Sequence, residues 1–133
     1  MKPFILSRIL LLLLISFSFL ASAQKKSSWI APTSANSLKN PLAGNSASIK
    51  EGKSIYLTAC APCHGEKGRG DGPASAALVP KPADHSSSAI QGQSDGAIFW
   101  KLTEGKGAMA SYKAVYSDNQ RWALVNYIRT LKK

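Results

Sequence analysis

Cys60-Ala61-Pro62-Cys63-His64 is the stretch on which the reading of this chain turns, and it holds both of the cysteines among 133 residues. Two thiols three positions apart, on a chain leaving a helix, can reach the two vinyl groups on one edge of a porphyrin. The residue that follows then lies over the ring, with its imidazole within reach of the iron. This is the spacing of covalent haem attachment: Cys60 and Cys63 carry the group and His64 binds the metal. A covalent link suits a small domain, which buries too little surface to cage haem by packing alone.

Other uses of the pair fit less well. A disulfide across so short a loop removes little entropy from the unfolded chain and makes a poor staple. A redox-active Cys-x-x-Cys belongs in a βαβ setting, and no strand pattern flanks this one. Zinc needs four tetrahedral ligands; Cys60, Cys63, His64 and His85 are nominees, but adjacent Cys63 and His64 point different ways on a helix.

Working outward, the motif closes a helix. Ser48-x-x-Glu51 has the form of a capping box, and Ile49, Gly52, Tyr56 and Cys60 recur on one helical face. Gly65 to Pro73 is a loop with four glycines in nine residues, read as backbone passing close to a bulky flat ligand. It lacks the Gly-Lys-Ser/Thr of a phosphate loop, and Arg69-Gly70-Asp71 is too short a match to signify adhesion. Asp95 to Glu104 reads as a helix with Ile98, Phe99 and Leu102 inward and Gly105 ending it. Residues 105–116 form a second loop. Ser117-x-x-Gln120 caps a last helix whose stripe is Leu124, Tyr127, Ile128 and Leu131, with Arg129, Lys132 and Lys133 at the negative end of its dipole. No segment alternates apolar and polar residues, so the expected fold is all-α, without internal repeat.

Met109 is the one methionine besides the initiator. A lone methionine is normally core filler, but its flanks, Gly105 to Ala108 and Ala110-Ser111, are small and non-periodic. A soft thioether on such a loop reads as the sixth iron ligand, and a His/Met pair raises the reduction potential. His85 competes for that position; the role expected for it is that of a solvated loop histidine.

The chain's start is an address. Lys2 and Arg8, the apolar run Ile9 to Leu20 and the small residues Ala21 to Ala23 make the three-part export signal, with cleavage after Ala23. The alternative is a retained anchor, for which the run is short. Removing residues 1–23 takes two of the 17 basic residues and none of the seven acidic ones, so the remainder carries 15 against 7, or +8. Such a surface suits an acidic protein partner, nucleic acid or an anionic membrane face; export and the absence of a basic block argue against nucleic acid. Residues 24–47, rich in Ser, Ala, Asn and Pro, form an irregular lead-in, either a tether or a strap packed by Trp29. Residues 48–133 form the domain proper.

From about Ser48 to Leu131 the chain resembles a class I cytochrome c, a small bacterial monohaem carrier. The shared features are Gly52, Tyr56, Cys60, Cys63, His64, Gly65, Met109, Leu124 and Tyr127. The resemblance implies a cytochrome c fold with crossed first and last helices, Gly52 permitting the crossing and Tyr56, Leu124 and Tyr127 packed around it. It implies that a proline carbonyl in the stretch Leu78 to Asp84, from Pro80 or Pro82, accepts the His64 Nδ1 hydrogen bond. Alanine on both sides of Met109 departs from the prolines common in relatives. The implied role is one-electron transfer by one haem c, with iron between His64 and Met109, in a soluble periplasmic protein docking acidic redox partners through Lys67, Arg69, Lys81, Lys101, Lys106 and Lys113. An open sixth position would instead imply a peroxidase or gas sensor. A subunit of a respiratory complex, docked by the lead-in, is a third reading.

Overall fold

The structure, a computed structural model, describes residues 29–133; the signal segment, its cleavage point and residues 24–28 lie outside the described residues. Five α-helices succeed one another: α1 (Ser46–Ala59), α2 (Ala61–His64), α3 (Ser88–Gln91), α4 (Asp95–Glu104) and α5 (Asp118–Thr130), with 3-10 turns at Thr33–Ser37 and Ser75–Ala77. The described residues form no strand; one isolated bridge joins Lys106 and Met109. The all-α expectation holds.

Helix α1 starts three residues before the expected point. Its N-cap is Asn45, whose side chain accepts from the Ser48 N–H at 2.9 Å. Ser48 is therefore inside the first turn and buried, its hydroxyl accepting from Asn126 Nδ2 at 2.9 Å. Asparagine caps at least as well as serine, and a partner 78 positions away claims the serine.

Among the described elements, helices α1 and α5 pack against each other most extensively. A Cβ on Gly52 would lie 1.9 Å from the Ala123 carbonyl oxygen, so only glycine lets the backbones approach this closely. Tyr56, Leu124, Val125 and Ile128 are fully enclosed around the crossing, and Tyr127 meets the Tyr56 ring edge-on at 5.0 Å. Each such aliphatic side chain contributes about 1.5–3 kcal/mol through burial.

Helix α5 has both halves of its capping box: Gln120 N–H donates to Ser117 Oγ at 3.3 Å and Ser117 N–H to Gln120 Oε1 at 3.0 Å. It is buried from Arg121 to Ile128, wider than the Leu124, Tyr127, Ile128 and Leu131 stripe suggests. The described part of the lead-in is a strap that covers Asn126, while Ala123 faces Gly52 of α1 and Trp122 stacks on Phe99 of α4. Asn126 Nδ2 donates to the Leu42 carbonyl at 2.6 Å, and Asn40 Nδ2 donates to Asn126 Oδ1 at 2.7 Å and Asp95 Oδ2 at 2.9 Å. Ala35 is buried on α4, where a Cβ at Gly96 would come within 2.0 Å of the Ala35 oxygen. Trp29 packs against Trp100 at 6.3 Å, with Lys101 over its ring. Helix α4 buries Ile98, Phe99 and Leu102 and ends at Gly105, φ +68°, as expected. Among the described residues, no helix is long and apolar enough to cross a membrane.

Candidate haem-binding site

Helix α1 runs to Ala59, bends at Cys60 (φ −108°), and resumes as the single turn of α2. Pro62 stands in the first turn of α2, where its missing N–H has no helical partner to lose. The bend sets Cys60 into the core and leaves Cys63 half-buried, both as free thiols. Burial, reinforced by the neighbouring Cys63, pushes the Cys60 thiol up to about 12. A disulfide-exchange catalyst works through a thiol shifted the other way, down toward neutrality.

His64 follows directly. Its Nδ1 lies 2.9 Å from the Ala83 carbonyl oxygen. That oxygen can only accept, so Nδ1 carries the proton and Nε2 keeps its lone pair, the form in which imidazole binds a metal. Burial holds the ring below the usual histidine range, and hence neutral, against a smaller opposing effect of the Ala83 bond. The supporting carbonyl thus belongs to Ala83, and neither Pro80 nor Pro82 fills the role. The Pro82 oxygen is turned instead toward Gly70, where a Cβ would lie 2.4 Å from it.

The glycine loop also differs from expectation. Its backbone closes on the motif itself: Gly70 N–H donates to the His64 oxygen at 2.8 Å, Gly72 N–H to Cys63 at 3.1 Å, and Ala74 N–H to Pro62 at 2.9 Å. A Cβ at Gly72 would lie 2.4 Å from the Ala61 oxygen and 2.5 Å from the Pro62 oxygen. These glycines admit neighbouring backbone, where a flat ligand was expected.

His85 is not a solvated loop residue. It is buried, and its ring stacks on the His64 ring with centroids 4.0 Å apart and planes 20° from parallel. Its Nδ1 meets Tyr56 Oη at 3.0 Å. Burial first, and His64 second, push it down to about 3, so it is neutral at physiological pH. A ring lying flat on His64 stands beside that imidazole, not across a metal from it.

Met109 sits at the end of a tight hairpin: Lys106 N–H donates to the Met109 oxygen at 2.8 Å and Met109 N–H returns to Lys106 at 3.1 Å. Gly105 and Gly107, φ +68° and +58°, make the turn. Its side chain is half-buried against the main apolar cluster, the one that also contains Cys60 and Tyr56. Two free thiols on one bent helix, an imidazole with a free Nε2, and a thioether on a separate loop suit covalent haem by donor chemistry. No group of three or more His, Cys, Asp or Glu side chains able to hold a metal ion by themselves occurs among the described residues.

Residues 47–128 match the family model described as cytochrome C oxidase, cbb3-type, subunit III. The chain belongs to that family. It is therefore a class I c-type cytochrome domain, a family whose members bind haem c covalently and transfer electrons. No curated protein matches. Among solved structures, a chain of a reducing HAO-like protein complex from Kuenenia stuttgartiensis is similar, with 31% identity and a TM-score of 0.64 over 74% of this chain. The match spans about half of that neighbour, 49% of its length.

Arg121 of the cytochrome domain escaped the sequence reading altogether. Arg121 is buried on α5, and its Nη1 donates to the Lys113 and Tyr116 oxygens at 3.1 and 3.0 Å, with a longer contact to Tyr112. Its Nη2 reaches Asp118 at 2.5 Å, and the guanidinium lies over the Phe99 ring. The segment just after Met109 is thereby clasped to the last helix. An arginine next to a helix cap reads as surface in sequence, and only the loop folding back reveals it. Of the six basic residues expected at the haem edge, Lys101 is not free: it is half-buried and donates to Gln93 Oε1 at 2.6 Å. Lys67, Arg69, Lys81, Lys106 and Lys113 are exposed.

Proposed function

We propose that this cytochrome domain is a monohaem carrier in which Cys60 and Cys63 hold one haem c through thioether bonds and His64 and Met109 bind its iron. The observation that carries this reading is the His64 ring, oriented by Ala83 with Nε2 free, immediately after two unpaired thiols on one bent helix. Bound haem supplies an iron that takes up and releases one electron without a bond being made or broken. The chain's residues do the rest. Ala83 keeps the proton on Nδ1, the core around Cys60 excludes water, and the hairpin 106–109 presents a thioether from a different element. Were His64 and Met109 both to bind the iron, no position would be left open for a peroxidase or gas-sensor role.

The export signal at residues 1–23, cleavage after Ala23 and work in the periplasm as a soluble shuttle belong to the same reading. The excess of basic residues fits an acidic redox partner, docked through Lys67, Arg69, Lys81, Lys106 and Lys113. A second reading, a subunit within a larger redox assembly, is favoured by the family's description and by the neighbour's place in a complex. The lead-in is a poor dock for it, because residues 31–42 are already packed on the domain's own helices.

Three measurements test the proposal. The mass of the exported protein should equal a chain starting at Gln24 plus one haem. Changing Cys60 and Cys63 together to serine should abolish haem that survives denaturing electrophoresis; surviving haem would refute the attachment. Met109→Ala should remove the weak red-edge band of Met-ligated ferric haem and let carbon monoxide bind. A wild-type protein that lacks the band and binds carbon monoxide freely would shift the function to catalysis or sensing.

A further inference from the structure

The Ala83 bond holds His64 at one point, Nδ1, and so fixes its tautomer. It leaves the ring free to rock about the N···O axis. The plane of the ring needs a contact on its face, and His85 makes that contact at 4.0 Å. His85 is itself held at three points. Its N–H donates to the Gly68 oxygen at 2.6 Å, its carbonyl accepts from Gln91 Nε2 at 2.7 Å, and its Nδ1 meets Tyr56 Oη at 3.0 Å. Gln91 also donates to the Ile128 oxygen at 2.9 Å, so the lock reaches α5. Tyr56 is fully enclosed, wedged edge-on against Tyr127.

The chemistry of the pair is specific. A buried imidazole or phenol without a partner costs several kcal/mol in an apolar surrounding, and each of these satisfies the other. The single phenol proton goes either to His85 Nδ1 or to the Gly65 oxygen, 3.3 Å away. In the second case His85 Nδ1–H donates to Oη, so the Tyr56–His85 bond persists in both tautomers. An aliphatic residue at position 85 would fill the space but offer neither a flat face nor a fixed rotation.

We propose that His85 is a positioning residue, a second imidazole locked by Tyr56 that sets the plane of the His64 ring. This rests on the reading of His64 as the iron ligand. The plane of an axial imidazole governs how unpaired spin spreads over the porphyrin, and thus the pattern of haem-methyl resonances in the ferric protein. A merely structural side chain would leave that pattern alone.

The test is proton NMR of the ferric holoprotein, with the histidine nitrogens labelled. His85→Leu should reorder or respread the haem-methyl resonances, and His85→Phe, which keeps a flat face but loses the bond to Tyr56, should displace them in the same direction by less. Tyr56→Phe removes only the lock and should displace the pattern in the same direction as His85→Leu, by less. Should His85→Leu fail to fold, Tyr56→Phe decides, since Gly65 O keeps the Gly68 N–H at 3.0 Å as its partner. Lower thermal stability with an unchanged methyl pattern in both variants would overturn the positioning role. Wild-type His64 nitrogens without a paramagnetic shift would instead sink the ligand reading, and this inference with it.

Discussion

The two candidate iron ligands are held in contrasting ways. His64 lies in a segment whose every carbonyl from Ala61 to His64 accepts a bond, from Gly65, Ala74, Gly72 and Gly70 in turn. Its ring has a bond at Nδ1 and a stacked neighbour on its face. Met109 hangs at the end of a hairpin closed by its own two backbone bonds, and the surrounding loop is tied down only at a few points. Ser111 Oγ donates to Thr103, Tyr112 N–H to Leu102, and Arg121 gathers the carbonyls that follow. The first arrangement is determined several times over. The second depends on its tethers, so the methionine side is where ligand exchange should begin.

A pair of glycines gives the largest contrast. At Gly72 a Cβ would meet three backbone atoms at 2.4–2.7 Å, whereas at Gly107 it meets nothing within 4 Å and faces only the strain of φ +58°. Gly72→Ala should therefore cost about 3 kcal/mol or fail to fold, and Gly107→Ala about 1–2 kcal/mol, by denaturant unfolding of the holoprotein. Similar losses at both positions would break the distinction.

Arg121→Met sharpens it. The variant keeps the bulk of the side chain but leaves the Lys113 and Tyr116 oxygens without their donor, at a cost of about 2 kcal/mol. Cyanide should bind the ferric variant faster than wild type, while the His64 signals stay in place. Unchanged cyanide binding would show that the clasp does not hold the Met109 loop.

The smallest effect concerns pH. Tyr112 Oη donates to the Ala59 oxygen at 3.1 Å and joins the methionine loop to the end of α1. Burial, with smaller effects of Cys60 and other neighbours, pushes the phenol up to about 12 from an ordinary value of 10.0. A raised pKa stabilises the fold fully below the unfolded value, and that contribution is lost as pH rises from about 10 to about 12. Tyr56, also raised chiefly by burial, adds to the fall. Tyr112→Phe should lower the neutral-pH midpoint by the equivalent of about 1 kcal/mol and flatten the alkaline decline. A decline as steep as in wild type would exclude Tyr112 as a source.

Features written within a few neighbouring residues were legible before the fold was known. The haem motif is five consecutive residues, the Ser117 cap and its Gln120 partner are three apart, and the α4 face repeats at three and four. In such cases covalent connection alone brings the partners together. Gly52 and Tyr56 were legible for another reason, their likeness to a known family, and the crossing at Ala123 bears that out. What the tertiary structure alone decided joins residues far apart in the chain. Ala83, not a proline, reaches His64 across 19 positions, because Pro82 turns its oxygen to Gly70. Asn126, 78 positions from Ser48, claims the hydroxyl that would otherwise have capped α1. His85 is enclosed by Tyr56, 29 residues before it, and the strap over α4 and α5 hides faces that periodicity leaves exposed. A polar side chain looks the same in sequence whether water or a distant partner will satisfy it, and only the folded path of the chain settles which.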